Sequence, residues 1–197
     1  HTQDEFNVIP GREFGWLEGD WSGYADLVSW DEAVARISGE AKIELALQME
    51  AAALDFDSRI AGAMTTAYTD QEARAYLANS EGMSGWYPMS SCQAYTQIIA
   101  AEGDDQQSAF DFFVGLSPSG FDPEAVGRRA AEKALSMLGA GPIESCELPL
   151  VIDPYVATEI LGYLSGMLSA DEVQKGRSLF ADKLGSKVAS DIVTLVD

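Results

Sequence analysis

The sequence predicts an α+β fold: an antiparallel meander sheet with flanking helices, followed by the start of a second α/β domain. Three observations carry this expectation. Residues 59–116 form runs of alternating character separated by short turns rich in Asn, Asp and Gly, the pattern of sequential antiparallel strands. Apolar residues at helical spacing precede and follow that block. Ser-x-x-Glu and Asp-Pro signals, which cap and open helices, mark where those helices begin. Hydrophobic residues make up 47% of the chain and charged residues 22%, a composition that supports a packed core.

Residues 1–28 read as an irregular linker or arm, with Pro10, Gly11, Gly15, Gly19 and Gly23 among the aromatics Trp16, Trp21 and Tyr24. Ser29 and Glu32 have the spacing of a capping box and predict a short helix ending near Ser38-Gly39. A second helix is expected over residues 40–55. Its inward stripe would be Ile43, Leu47 and Leu54 with Ala46 and Ala51 beside them, and Glu44, Gln48 and Asp55 would face away.

Four strands follow. The first, 59–69, places Ile60, Met64 and Tyr68 on one side, and Asp70-Gln71 reads as a turn. The second, 73–78, ends at the turn Asn79-Ser80-Glu81-Gly82, since Asn and Gly both accept positive φ. The third spans 84–101, with Pro88 as its weak point, and turns at Gly103-Asp104-Asp105. The fourth, 107–116, sets Phe110, Phe112 and Val114 against Asp111 and Phe113.

Asp122 as N-cap and Pro123 at the first helical position open the next helix. Its buried stripe is Val126, Ala130, Ala134 and Met137, and Gly139 is its stop. Leu148–Ile152 is then a short apolar strand. Asp153-Pro154 opens a helix with Val156, Ile160, Leu161, Leu164 and Leu168 inward. Ser169 and Glu172 cap a short helix ending by Gly176, and residues 192–196 form a last strand. The turn Gly139-Ala140-Gly141-Pro142 suggests a boundary. The expected organisation is an arm over 1–28, an α+β domain over 29–145 and the beginning of another domain over 146–197.

Charge and composition narrow the function. Thirty-two acids against 12 bases give a net charge of −20, which repels phosphate backbones and argues against direct nucleic-acid binding. No apolar run approaches the roughly 20 residues of a membrane helix. Cys92 and Cys146 lie far apart without a metal-binding or redox spacing, a pattern that fits the cytoplasm.

Catalytic and metal motifs are missing from the sequence. A catalytic zinc needs three protein ligands, and the chain has one histidine, His1. A Ser-His-Asp triad lacks its base for the same reason. Gly82-Met83-Ser84-Gly85 falls short of a nucleophile elbow and reads as a turn. No phosphate-binding glycine pattern occurs. The candidate contact residues are Asn79, Ser80 and Gly82 of the hairpin turn and Gly176, Arg177 and Ser178 of the loop after the capped helix. The latter group could offer an Arg fork to an anion or tie the loop to an acid or carbonyl of its own chain. An exposed sheet edge could also pair with an extended peptide.

Four pieces of the chain share an order with a known family. They are Glu40-Ala41-Lys42-Ile43-Glu44-Leu45-Ala46-Leu47 with Glu50 and Asp57-Ser58-Arg59-Ile60; Asn79-Ser80-Glu81-Gly82; Gly127 with Ala130 to Leu135 and Leu138-Gly139-Ala140; and the block from Pro149-Leu150-Val151-Ile152-Asp153-Pro154 through Lys175-Gly176-Arg177-Ser178-Leu179 to Val196. In that order they resemble the TldD/PmbA family, which also carries the label "modulator of DNA gyrase". The resemblance implies two α/β domains and a cytosolic peptidase system that degrades peptides or removes leaders. In that system TldD-type subunits hold zinc through His-Glu-x-x-x-His and a later Cys, while PmbA (TldE-type) subunits lack those ligands and pair with them. The wording here is nearer the PmbA side, so the resemblance implies a non-catalytic partner subunit, a homo- or heterodimer with a TldD-like subunit, and a peptide substrate. It further implies that the chain holds the second part of the family's N-terminal domain and the beginning of its C-terminal domain, as a piece of a longer protein. No family metal ligand maps onto a residue here, so no cofactor is expected in this chain, and zinc would belong to the longer protein or its partner. Two other readings stay open: an active zinc metallopeptidase whose metal site lies outside this chain, and a non-enzymatic peptide- or protein-binding module.

Overall fold

In the computed structural model, residues 28–80, 82 and 84–194 are described. The expected arm over 1–28 therefore lies outside the described residues but for Val28. The chain forms two compact units, His1–Gly141 and Pro142–Asp197.

The first unit is a three-stranded antiparallel sheet in the order β1-β2-β3, with helices on one face. β1 is Ile60–Ala78, β2 Ser84–Glu102 and β3 Asp105–Gly115. The sequence suggested four strands, but the dipeptide Asp70-Gln71 is no turn. Asp70 pairs with Cys92 and Gln71 with Ser91 in an unbroken ladder. The carboxylate that looked like a turn residue is held instead by Lys42 Nζ, which donates to Asp70 Oδ1 at 2.8 Å. Register shifts lie between Ile60 and Gly62 and between Ala63 and Thr65. Bulges of this kind break the two-residue period, so Met64 is exposed while Ile60 and Tyr68 pack towards the core.

Strict alternation along β2 identifies the covered face. Ser90, Cys92, Ala94, Thr96, Ile98 and Ala100 are buried, and the residues between them are not. Across the ladder, Tyr68, Ala94 and Phe113 share this face, as do Thr66, Thr96 and Asp111. β2 also runs unbroken through Pro88, opposite Arg74. Ser90 N–H donates to the Ser29 carbonyl, away from β1. Two residues earlier, the missing N–H of Pro88 falls on that same outer edge, beyond the end of β3, where a proline costs the ladder nothing.

The N-terminal segment uses its serine differently from a capping box. Ser29 Oγ donates to the Pro88 carbonyl at 2.8 Å, so it ties the chain to β2 and does not cap. The short helix α1, Ala33–Arg36, is opened by Asp31, whose Oδ1 accepts from Ala33 N–H. α2, Gly39–Leu54, is capped by Ser38, whose Oγ accepts from Ala41 N–H. Its inward face is not the expected one. Met49 and Ala53 are fully buried, whereas Ile43, Leu47 and Leu54 are 61%, 56% and 41% exposed.

The reason lies in α3, Pro123–Ser136, which Asp122 caps through Ala125 N–H. A Cβ on Gly127 would stand 2.1 Å from the Met49 carbonyl oxygen. At Gly127 the two helices approach so closely that no side chain fits between their backbones. Ala53, Ala130 and Ala131 form one buried cluster with Ile98, and Met49, Val126 and Ala94 form another. Bulky Ile43 and Leu47 are turned outward by this approach. Met137 of the expected α3 stripe is exposed as well, because it is the C-cap. The end of α3 is fixed by Gly139 N–H, which donates to Asp105 Oδ2 at 2.7 Å.

The second unit holds α4, Pro154–Met167, and α5, Ala170–Gln174, opened by Asp153 and Ser169 as their caps. No residue of α4 is buried, and among the residues expected to face inward Val156, Ile160 and Leu161 are 47%, 42% and 41% exposed. Leu148–Ile152 forms no strand, and neither do residues 192–194; residues 195–197 lie outside the described ones. An apolar pentapeptide becomes a strand only where a partner accepts its backbone groups, and the described part of this unit has none. Among the described residues, no helix is long and apolar enough to cross a membrane.

Candidate functional site

The residues singled out from the sequence fall in two places, one in each unit. Asn79, Ser80 and Gly82 form the tip of the β1–β2 hairpin. Gly82 N–H donates to the Asn79 carbonyl, and Gly82 adopts φ +86, a conformation that favours glycine. Glu81 lies outside the described residues. Beneath the tip, Tyr76 and Trp86 stack across the two strands with ring centroids 6.2 Å apart, and the Arg74 guanidinium sits over the Trp86 ring.

Gly176, Arg177 and Ser178 follow α5. Gly176 has φ +68 and closes the helix. Arg177 forks onto one carboxylate: Nε donates to Glu172 Oε2 at 3.0 Å and Nη2 to Oε1 at 2.6 Å, while its backbone N–H reaches the Glu172 carbonyl. Glu172 holds the guanidinium pKa above its usual value. Ser178 Oγ donates to the Met167 carbonyl and accepts from Phe180 N–H. The hydrogen-bonding groups of this loop are thus engaged inside their own unit.

Two further constellations were not singled out from the sequence. Asp111, almost fully buried on β3, accepts from Arg129 Nε at 2.7 Å and Lys133 Nζ at 2.8 Å, which pins α3 to the sheet. An Asp inside a Phe-rich strand was the available signal, because a buried carboxylate requires partners. The second lies between α2 and the sheet, where Lys42, Tyr68, Asp70 and Cys92 meet. Burial raises the Tyr68 and Cys92 pKa values above their ordinary ranges, with the neighbouring Asp70 adding to both. A buried thiol held protonated is unreactive. Cys146, in contrast, is exposed. A thiol reagent is therefore expected to modify one cysteine of the native protein rapidly and the second only in denaturant. Equal fast labelling of both in native buffer would contradict the buried position of Cys92.

At the start of β1, Asp57 is held at a pKa of about 2 by its hydrogen bonds from the Arg59 side chain and backbone. A carboxylate with a depressed folded-state pKa contributes stability that is present above its ordinary value of 3.8 and lost as the pH falls through about 2. Asp57→Asn is accordingly expected to lower Tm at pH 6 and to match the parent near pH 2. The check is a pair of melting curves; an equal offset at both pH values would contradict this linkage.

Among the described residues, no grouping of three or more His, Cys, Asp or Glu side chains could hold a metal ion. The paired acids are engaged by Lys42, Arg59, Arg129, Lys133 and Arg177. Among the described residues, which include no histidine, the donor set does not fit a zinc centre.

Comparison with known proteins gives a consistent picture. Residues 32–138 match the PmbA/TldA metallopeptidase central domain, and residues 145–197 match the PmbA/TldA metallopeptidase C-terminal domain. The metalloprotease PmbA of Escherichia coli is 28% identical over 162 residues, covering 82% of this chain and 36% of that protein. A crystal structure from Bacteroides thetaiotaomicron, described as a modulator of DNA gyrase, is 28% identical with a TM-score of 0.77 over 85% of this chain and 38% of its own. TldE from Thermococcus kodakarensis has the same fold at a TM-score of 0.63 and 19% identity, over 78% of this chain and 35% of its own. The chain thus spans little more than a third of the length of these relatives.

Proposed function

This chain belongs to the PmbA/TldA metallopeptidase family, and from that premise we propose that it serves as part of a non-catalytic, PmbA-like partner subunit in a peptide-degrading system of the cytoplasm. The observation that supports this reading is the likeness to the metalloprotease PmbA of Escherichia coli, 28% identical over 162 residues. The pieces Leu138-Gly139-Ala140 and Lys175-Gly176-Arg177-Ser178 give the sequence its PmbA-side wording. In this reading residues 29–145 form one domain and residues 146–197 begin the next. The partner is a TldD-type zinc subunit, which would supply the metal-bound water for hydrolysis.

The contribution of this chain is then architectural. The close-packed α2–α3 layer and the ion pairs of Asp111 hold the sheet rigid, as a partner surface requires. The reading is tested by mixing the purified chain with a TldD-type subunit and following co-elution and peptide hydrolysis. Co-elution with a change in hydrolysis supports it. Separate elution with unchanged hydrolysis sinks the partner role.

A further inference from the structure

We propose that the outer face of α2 is a docking surface for a cationic amphipathic helix of a partner protein or peptide. Ile43, Leu47, Ala51 and Leu54 recur at helical spacing along the exposed side of α2, and each is exposed to solvent. A helix that shows an apolar stripe to water has the form of one half of a helix–helix contact, read as anchors at i, i+4 and i+7 or i+8. Ala51, at the edge of the stripe, also borders a cleft of about 480 Å³ between the end of α2 and the start of α3, lined further by Ala52 and Phe56 and by the polar Gln48, Asp55, Glu124 and Arg128.

Charge selects the occupant. On α2, Glu50 borders one side of the stripe, Glu44 the other, and Glu40 stands at its N-terminal end; Asp55, the C-cap, follows on the Glu44 side. Lys42 is the only base on the helix, and its ammonium is turned inward to Asp70. At the cleft, Arg128 is tied to Glu124. An apolar ridge flanked by Lys or Arg therefore complements this face. A second copy of the chain would set the same acids against each other, and an anionic membrane would be repelled. This inference stands apart from the peptidase reading.

The test uses the whole chain and a fluorescent 18-residue Leu/Lys amphipathic helix at about 0.15 M salt, where long-range attraction is screened. Two further probes are a Leu/Lys peptide of the same composition scrambled to abolish the apolar face, and a Leu/Glu helix. Anisotropy titration is expected to show binding of the amphipathic Leu/Lys helix and neither of the others. Ile43→Ser combined with Leu47→Ser, which keeps every charge, is expected to weaken binding about tenfold or more. Because both residues are exposed, its Tm should stay near that of the parent. Glu40→Gln with Glu44→Gln, which keeps the apolar stripe, should also weaken binding. Equal binding of the scrambled peptide, or full affinity in both variants, would overturn the proposal. So would a dimer of the chain that Ile43→Ser with Leu47→Ser converts to monomer.

Discussion

Gly127→Ala is expected to destabilise the protein more than any other single methyl addition at a described glycine. The new Cβ would stand 2.1 Å from the Met49 carbonyl oxygen, 3.1 Å from the Met49 carbonyl carbon and 3.2 Å from Ala53 N. All three are backbone atoms of α2, so no side chain can swing away to make room. The helices must separate, and the contacts of Ala53, Ala130 and Ala131 with Ile98 loosen with them. Overpacking of this kind costs about 3 kcal/mol, which for a domain of this size lowers Tm by more than about 10 °C. Gly162→Ala is the control. A Cβ there meets nothing within 4 Å, and alanine is the better helix former, so its effect is expected to be neutral or slightly stabilising. A Gly127→Ala protein that melts with the parent would contradict the close helix approach.

The second large effect separates the two faces of α2. Met49 is fully buried between Ala94 and Val126, and Met49→Ala removes its side-chain contacts and leaves a cavity worth about 3 kcal/mol. Leu47→Ala, two residues away, removes a side chain that is 56% exposed, and its expected cost is below about 0.5 kcal/mol. Urea denaturation of both variants measures the difference directly. A Leu47→Ala cost equal to that of Met49→Ala would mean that α2 packs on its Ile43–Leu47 face, the face its sequence suggests.

That contrast shows where sequence reasoning succeeds here and where it stops. Asp122-Pro123 and Asp153-Pro154 were legible as helix starts because capping is a local interaction between neighbours in the chain. The hairpin turn at Asn79–Gly82 was legible for the same reason. The inward face of α2 was not, because apolar residues lie all round that helix and the choice between them is made by Gly127, more than 70 positions away. The mid-strand position of Asp70 likewise depends on Lys42, 28 residues distant. Leu148–Ile152 has strand composition, and only a partner could have made it one. For the candidate sites, Glu172 is a near neighbour of Arg177, so the tie between them was within reach of the sequence. The triad of Asp111, Arg129 and Lys133 joins a strand to a later helix and needed the fold to be seen.

The claim that this chain supplies no zinc centre of its own meets its most direct test in a metal measurement. The purified chain would be equilibrated with excess zinc, dialysed, and analysed for bound zinc alongside chelator-sensitive peptide hydrolysis. A chain that leaves the metal to residues outside it predicts zinc far below one per chain and no such hydrolysis. One tightly held zinc per chain, with hydrolysis that a chelator abolishes, would contradict it.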